Sequence, residues 1–134
     1  MLPITEAFEY DYDGSEIVFG RGCIDRIGEK LETIGFERAM IICGSHVGAN
    51  EALMGPLKSG LDDSLVGVFD GTTPDKTIGN VFDAIEMAEE LDPDVVVGVG
   101  GGSAIDVARQ TGVFQADGRS IGTIRSEAES GTLE

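Results

Sequence analysis

The residues best suited to chemistry in this chain are Gly100, Gly101, Gly102 and Ser103. They follow the β-branched run Val95-Val96-Val97-Gly98-Val99 and precede a helix-compatible segment. A strand that feeds a helix through a turn almost free of side chains lets a ligand reach bare backbone. The first amides of such a helix have no intrahelical partner, and the helix dipole adds roughly half a positive charge there. The natural guest is a phosphate. Ser103 suits the N-cap and can give its hydroxyl to a phosphate oxygen. Two better-known phosphate motifs do not fit. No lysine lies near Ser103, which excludes a P-loop. Counted from Gly98, the usual dinucleotide fingerprint finds Ser103 in place of its third glycine, and no clear acidic strand-end residue follows about 20 positions on. Three glycines also suit a turn that is merely tight; a serine following them directly after a buried strand favours phosphate binding.

The flanking sequence supplies the elements that hold this turn. Phe8–Tyr12 and Glu16–Phe19 flank Asp13-Gly14, a hairpin-turn dipeptide. Ile24, Ile27, Leu31 and Ile34 recur at helical spacing, and Gly35 ends that helix. Arg38–Cys43 reads as a buried strand closing into Gly44-Ser45, and Ala52–Leu57 as a short helix broken near Pro56. Leu65–Phe69 is the next strand. Thr73 as N-cap with Pro74 at the first helical position opens a helix carrying Val81, Ile85, Ala88 and Leu91 on one side, and Asp92-Pro93 stops it. Val95–Val99 is a strand and Ala104–Phe114 the last helix, with Ile105, Ala108 and Val113 expected inward. Buried strands separated by helices predict an α/β fold: a doubly wound, mostly parallel, Rossmann-like sheet with an N-terminal β-hairpin. Ligands of such sheets bind outside the carboxyl ends of the strands. Gly44-Ser45-His46, Asp70–Lys76 and Gly100–Ser103 leave those ends, and should converge on one nucleotide-sized groove.

The 134 residues suffice for one domain with its own core. Residues 1–125 are expected to form the dinucleotide-binding domain. The polar stretch 126–134 has no core-forming pattern and reads as a linker or a cut end. With 25 acidic and nine basic residues the net charge is −16, so no basic patch for nucleic acid can be assembled. The acids are scattered rather than gathered in a tail. Such a surface repels itself at low ionic strength, whereas molar salt shrinks the screening length to about 3 Å. This composition predicts a halophilic, cytoplasmic protein. No apolar stretch approaches the ~20 residues of a membrane span, and no signal peptide is visible. Cys23 and Cys43 form no C-x-x-C pair and read as small apolar groups. His46, the only histidine, cannot build an imidazole metal site and reads as a structural residue in a loop.

Three anchors then carry a resemblance: Phe19-Gly20-x-Gly22 before the first helix, Val68-Phe69-Asp70-Gly71 closing a strand, and Gly100-Gly101-Gly102-Ser103-x-x-Asp106-x-Ala108. In this order and spacing the chain resembles the N-terminal part of the iron-containing (group III) alcohol dehydrogenases, from Phe8 to about Gly112. The resemblance implies an NAD(P)-dependent enzyme that interconverts an alcohol and an aldehyde or ketone. Its N-terminal domain would hold the dinucleotide. A helical C-terminal domain would carry one aspartate and three histidines for Fe²⁺ (or Zn²⁺), a Lewis acid on the substrate oxygen. This chain then supplies no catalytic and no metal residue, and alone should not catalyse the reaction. Carried over by the resemblance, Gly100, Gly101, Gly102 and Ser103 contact the pyrophosphate. Asp106 lies either near the nicotinamide or serves the helix start. The family's Thr-Thr-x-x-Thr-Gly-Ser-Glu loop has no match in Ser126–Glu134.

Two departures bear on the cofactor. Where many NAD-preferring members have an aspartate for the adenosine ribose, this chain has Gly44, followed by Ser45. Without that carboxylate a 2′-phosphate is not repelled, so NADP is expected ahead of NAD. The family's Pro-Asn-Pro-Thr stretch is here Pro74-Asp75-Lys76-Thr77; Asp75, with Thr73 before it, belongs to the expected cofactor loop, and Lys76 either serves a phosphate or is a solvated first-turn residue. The same architecture also suits the metal-independent maleylacetate reductases, and a stand-alone nucleotide-binding module is a further alternative. Lysine in place of Ser103 would mark glycerol dehydrogenases, which this chain does not match. The N-terminal hairpin offers an edge for a homodimer.

Overall fold

The computed structural model describes residues 8–12, 15–20, 22–73 and 78–117. Strands β1 (Phe8–Tyr12) and β2 (Ser15–Phe19) pair antiparallel with Tyr12 opposite Ser15, so two residues connect them. Those two, Asp13-Gly14, lie outside the described residues, as do Pro74–Thr77 and the stretch 118–134. Three parallel strands follow in the spatial order β4-β3-β5: β3 (Ala39–Gly44), β4 (Leu65–Thr72) and β5 (Val95–Val99). Helices α1 (Ile27–Ile34), α2 (Ser45–Gly48), α3 (Glu51–Leu61), α4 (Ile78–Leu91) and α5 (Gly102–Asp117) connect and cover them.

Strand β3 explains why the sheet needs two layers of helix. Its residues Ala39 to Cys43 are all completely buried. Successive side chains point to opposite faces, so an unbroken apolar run must be covered twice. Met40 and Ile42 meet Val81, Ala84, Ile85 and Ala88 of α4 and Val107 and Ala108 of α5. Ala39, Ile41 and Cys43 meet Met54, Leu57 and Leu61 of α3, with Ile24, Ile27 and Leu31 packed behind. The expected α4 stripe of Val81, Ile85 and Ala88 is thus inward, with Leu91 half-buried.

Several local expectations are corrected. Pro56 does not break its helix: α3 continues to Leu61. Proline removes one bond to the carbonyl of Ala52. Ala52 and Pro56 lie on the exposed side of the helix, where a lost bond costs least, while buried Met54, Leu57 and Leu61 hold the helix to the sheet. Its start is capped by Asn50, whose side-chain oxygen accepts from the Ala52 N–H at 3.1 Å. Ile34 closes α1 with 63% exposure, one residue before Gly35, whose φ of +99° forms the left-handed cap. On α5, Ile105 is 45% and Val113 62% exposed, and the helix instead turns Ala104, Val107, Ala108 and Thr111 to the sheet. The cause is close approach at Gly98, where a Cβ would stand 2.9 Å from the Ala108 Cβ and 3.4 Å from the Ile105 Cα. Only a stripe of small residues fits such a seam. Thr111, fully buried, satisfies its hydroxyl on the Val107 carbonyl at 2.7 Å.

The amino ends of the strands are closed by hydrogen bonds. Glu37 and Arg38 donate their backbone N–H groups to the two carboxylate oxygens of Asp94, each at 2.9 Å. The Arg38 guanidinium donates to the carbonyls of Leu91 and Asp92, capping the last turn of α4. The Glu37 amide, then that of Arg38, holds the Asp94 carboxyl below the usual carboxylate range. One hydrogen-bonded corner therefore joins β3, α4 and β5 at this end, and leaves the carboxyl ends for a ligand.

Candidate functional site

At the carboxyl ends, three segments surround one cavity of about 380 Å³: Gly44–Val47 after β3, Thr72 and Thr73 after β4, and Val99–Ala104 between β5 and α5. That volume lies within the ~300–1,000 Å³ usual for small-molecule sites. The expected convergence of three loops holds, although the first is no loop: Gly44 ends β3 and Ser45 begins the single turn α2. A larger cavity of about 630 Å³ lies at the opposite end of the sheet, lined by Glu29, Glu32, Glu37, Asp62 and Asp63. Those carboxylates repel a phosphate, so the smaller cavity is the candidate.

The turn into α5 has the geometry of an open anion seat. Gly100 has φ +125°, a conformation strained for any other residue. A Cβ there would also stand 3.5 Å from Val47 and 3.7 Å from Ala104. Nothing lies within 4 Å of a Cβ placed on Gly101 or Gly102, and both residues are exposed. The start of this 16-residue helix is therefore bare of covering side chains where it lines the cavity, as a helix-start anion site requires. Ser103 is not the N-cap: α5 begins at Gly102, and the Gly101 carbonyl already accepts from Ile105. Ser103 is half-buried and still lines the cavity, where its hydroxyl and a helix-start amide are offered together.

The other expected site residues divide. Gly44, Ser45 and Thr73 line the cavity with the glycine turn. Thr73 accepts a hydrogen bond from the Asn80 side chain at 2.8 Å, which ties the end of β4 to α4. Asp75 lies outside the described residues. Asp106 stands one turn into α5, half-buried, and is not among the residues lining the cavity. Val47, which sequence reasoning did not single out, also lines it, as does Thr72 of the expected Asp70–Lys76 segment. Thr72 had a signal, a threonine pair at a strand end; Val47 had none.

Cys43 is sealed beneath α2. Burial first, and then the negative charge of Asp70, push its thiol above the usual range, with Lys58 acting weakly the other way. It is a neutral packing group and not a nucleophile. Among the described residues no group of three or more His, Cys, Asp or Glu side chains is arranged to hold a metal ion, and no helix is long and apolar enough to cross a membrane.

Known proteins resemble this chain in sequence and in fold. An NAD-dependent methanol dehydrogenase from Bacillus methanolicus is 30% identical over 108 residues, which cover 78% of this chain and 28% of that protein. An NADPH-dependent butanol dehydrogenase from Clostridium saccharobutylicum is 29% identical over 104 residues, 74% of this chain and 25% of that protein. An iron-containing alcohol dehydrogenase from Thermotoga maritima superposes with a TM-score of 0.66 at 27% identity, covering 79% of this chain and 30% of its own. The chain spans about a quarter of the length of the curated relatives it matches. The sequence model of one family matches residues 14–131, and with it the Gly-Gly-Gly-Ser turn and all three parallel strands: the chain belongs to the iron-containing alcohol dehydrogenases.

Proposed function

We propose that this chain is the dinucleotide-binding domain of an oxidoreductase that interconverts an alcohol and an aldehyde or ketone, with NADP preferred over NAD. The observation that carries the reading is the cavity itself, in which the uncovered helix start at Gly101 and Gly102 shares one space with the ends of β3 and β4. Gly100 to Ser103 would seat the pyrophosphate, and Thr73, which lines the same cavity, would flank it. Bound there, the nicotinamide supplies hydride transfer; the residues described here bind and orient it. The iron of the family name would need ligands beyond the described residues, so no step is assigned to it. The small alcohol or carbonyl substrate and a homodimer built on the hairpin edge belong to the same reading.

Calorimetric titration of the chain with NAD⁺ and NADP⁺ tests the reading, with tighter NADP⁺ binding expected. Gly44→Asp fits sterically, since its Cβ would meet only Thr72 atoms at 3.5 Å. It should invert the preference toward NAD⁺ by about tenfold, because a carboxylate repels the 2′-phosphate and accepts from the ribose hydroxyls. Absence of binding by either nucleotide overturns the reading.

The scattered charge of −16 supports a place in the cytoplasm of a high-salt cell. The melting temperature should then rise steadily between 0.1 M and molar KCl as self-repulsion is screened. A flat or falling profile would refute this.

A further inference from the structure

We propose that His46 is the residue that selects NADP over NAD, by donating a ring N–H to the 2′-phosphate of the adenosine ribose. The inference rests on the dinucleotide reading above and extends it to a residue that sequence alone left as a structural histidine. His46 lines the same cavity as the glycine turn and is exposed to it. It is the only side chain with a titratable group among the described residues that line this space, and no lysine, arginine or carboxylate accompanies it there.

Its position follows from the register of the sheet. Strands β3 and β5 are direct parallel neighbours, with Cys43 opposite Val99. Adjacent strands lie about 4.8 Å apart, so a pyrophosphate seated on the start of α5 carries its adenosine ribose toward the end of β3. There Gly44 leaves room, Ser45 presents a hydroxyl, and His46 follows on the first turn of α2. A 2′-phosphate carries nearly two negative charges, and the rest of this chain, at −16, repels it. Asp70, whose carboxylate would lie 3.4 Å from a Cβ on Gly48, adds to that repulsion from β4. A histidine donor at the mouth is the counterweight within the cavity, and a charge-assisted bond to phosphate is the strong kind.

The test is calorimetric titration of the wild-type chain and of His46→Gln, His46→Arg and Lys76→Gln with NAD⁺ and NADP⁺. The ratio of the two affinities cancels any general damage to the fold. The wild type should prefer NADP⁺. His46→Gln should lower the NADP⁺ to NAD⁺ ratio by about fivefold, the size expected of one partly exposed charged contact. His46→Arg, which again offers N–H donors to the phosphate, should restore it. A ratio unchanged in His46→Gln, or one that collapses in Lys76→Gln instead, would overturn the assignment. A wild type that binds NAD⁺ but does not prefer NADP⁺ would do the same. Failure of both nucleotides to bind the wild type would overturn the dinucleotide reading beneath it, and the assignment with it.

Discussion

Gly102→Asp should weaken dinucleotide binding at least tenfold while leaving the fold as stable as before, or slightly more so. The substitution is sterically free, since nothing lies within 4 Å of a Cβ at this position. Gly102 is the first residue of α5, where an acidic side chain complements the helix dipole by about 0.3–1 kcal/mol. The same carboxylate occupies the seat intended for a phosphate and repels it. Affinity for NADP⁺ should drop at least tenfold, about 1.4 kcal/mol, while the melting temperature holds or rises. Opposite movements of affinity and stability separate a ligand site from a structural turn. If the turn is merely tight, the variant will bind NADP⁺ as the parent does, and the phosphate seat is refuted.

Gly98→Ala should destabilise the domain and weaken the cofactor together. The added methyl would lie 2.9 Å from the Ala108 Cβ, 3.4 Å from the Ile105 Cα and 3.6 Å from the Ala104 carbonyl oxygen. None of these atoms ends a flexible side chain, so relief requires α5 to lift away from β5. Overpacking of this kind costs about 1–3 kcal/mol. Because the start of α5 is also the phosphate seat, its displacement should lower NADP⁺ affinity several-fold. The double variant Gly98→Ala/Ala108→Gly restores the lost space. It should recover the affinity, although glycine inside the helix retains a stability cost of about 1 kcal/mol. Thermal melts and titrations of the single and double variants measure both effects. Wild-type affinity in Gly98→Ala would show that the seat does not depend on this seam.

The seam also shows where reading a sequence by hydrophobicity goes astray. Ile105 and Val113 are the larger apolar residues of α5, and their size argued for the interior. Yet Ala104, Val107, Ala108 and Thr111 face the sheet, because at Gly98 the helix backbone comes too near for anything bigger. Pro56 misled for a related reason. Its local penalty is a single hydrogen bond on the exposed side of the helix, which the burial of Met54, Leu57 and Leu61 outweighs.

Local chemistry was enough to determine that this chain makes parallel buried strands with helices between them. An unbroken run such as Ala39–Cys43 has no other way to hide both faces, and Gly100–Ser103 cannot be anything but a strand-to-helix turn. Which faces of the helices touch the sheet was decided only in three dimensions, because helix phase depends on how near two backbones come. That the segments of His46, Thr72 and Ser103 converge was legible in the sequence; which of their side chains line the shared cavity, with Val47 among them and Asp106 not, was decided only there. These residues are far apart in the chain, and parallel pairing of β3 with both β4 and β5 is what sets their ends side by side.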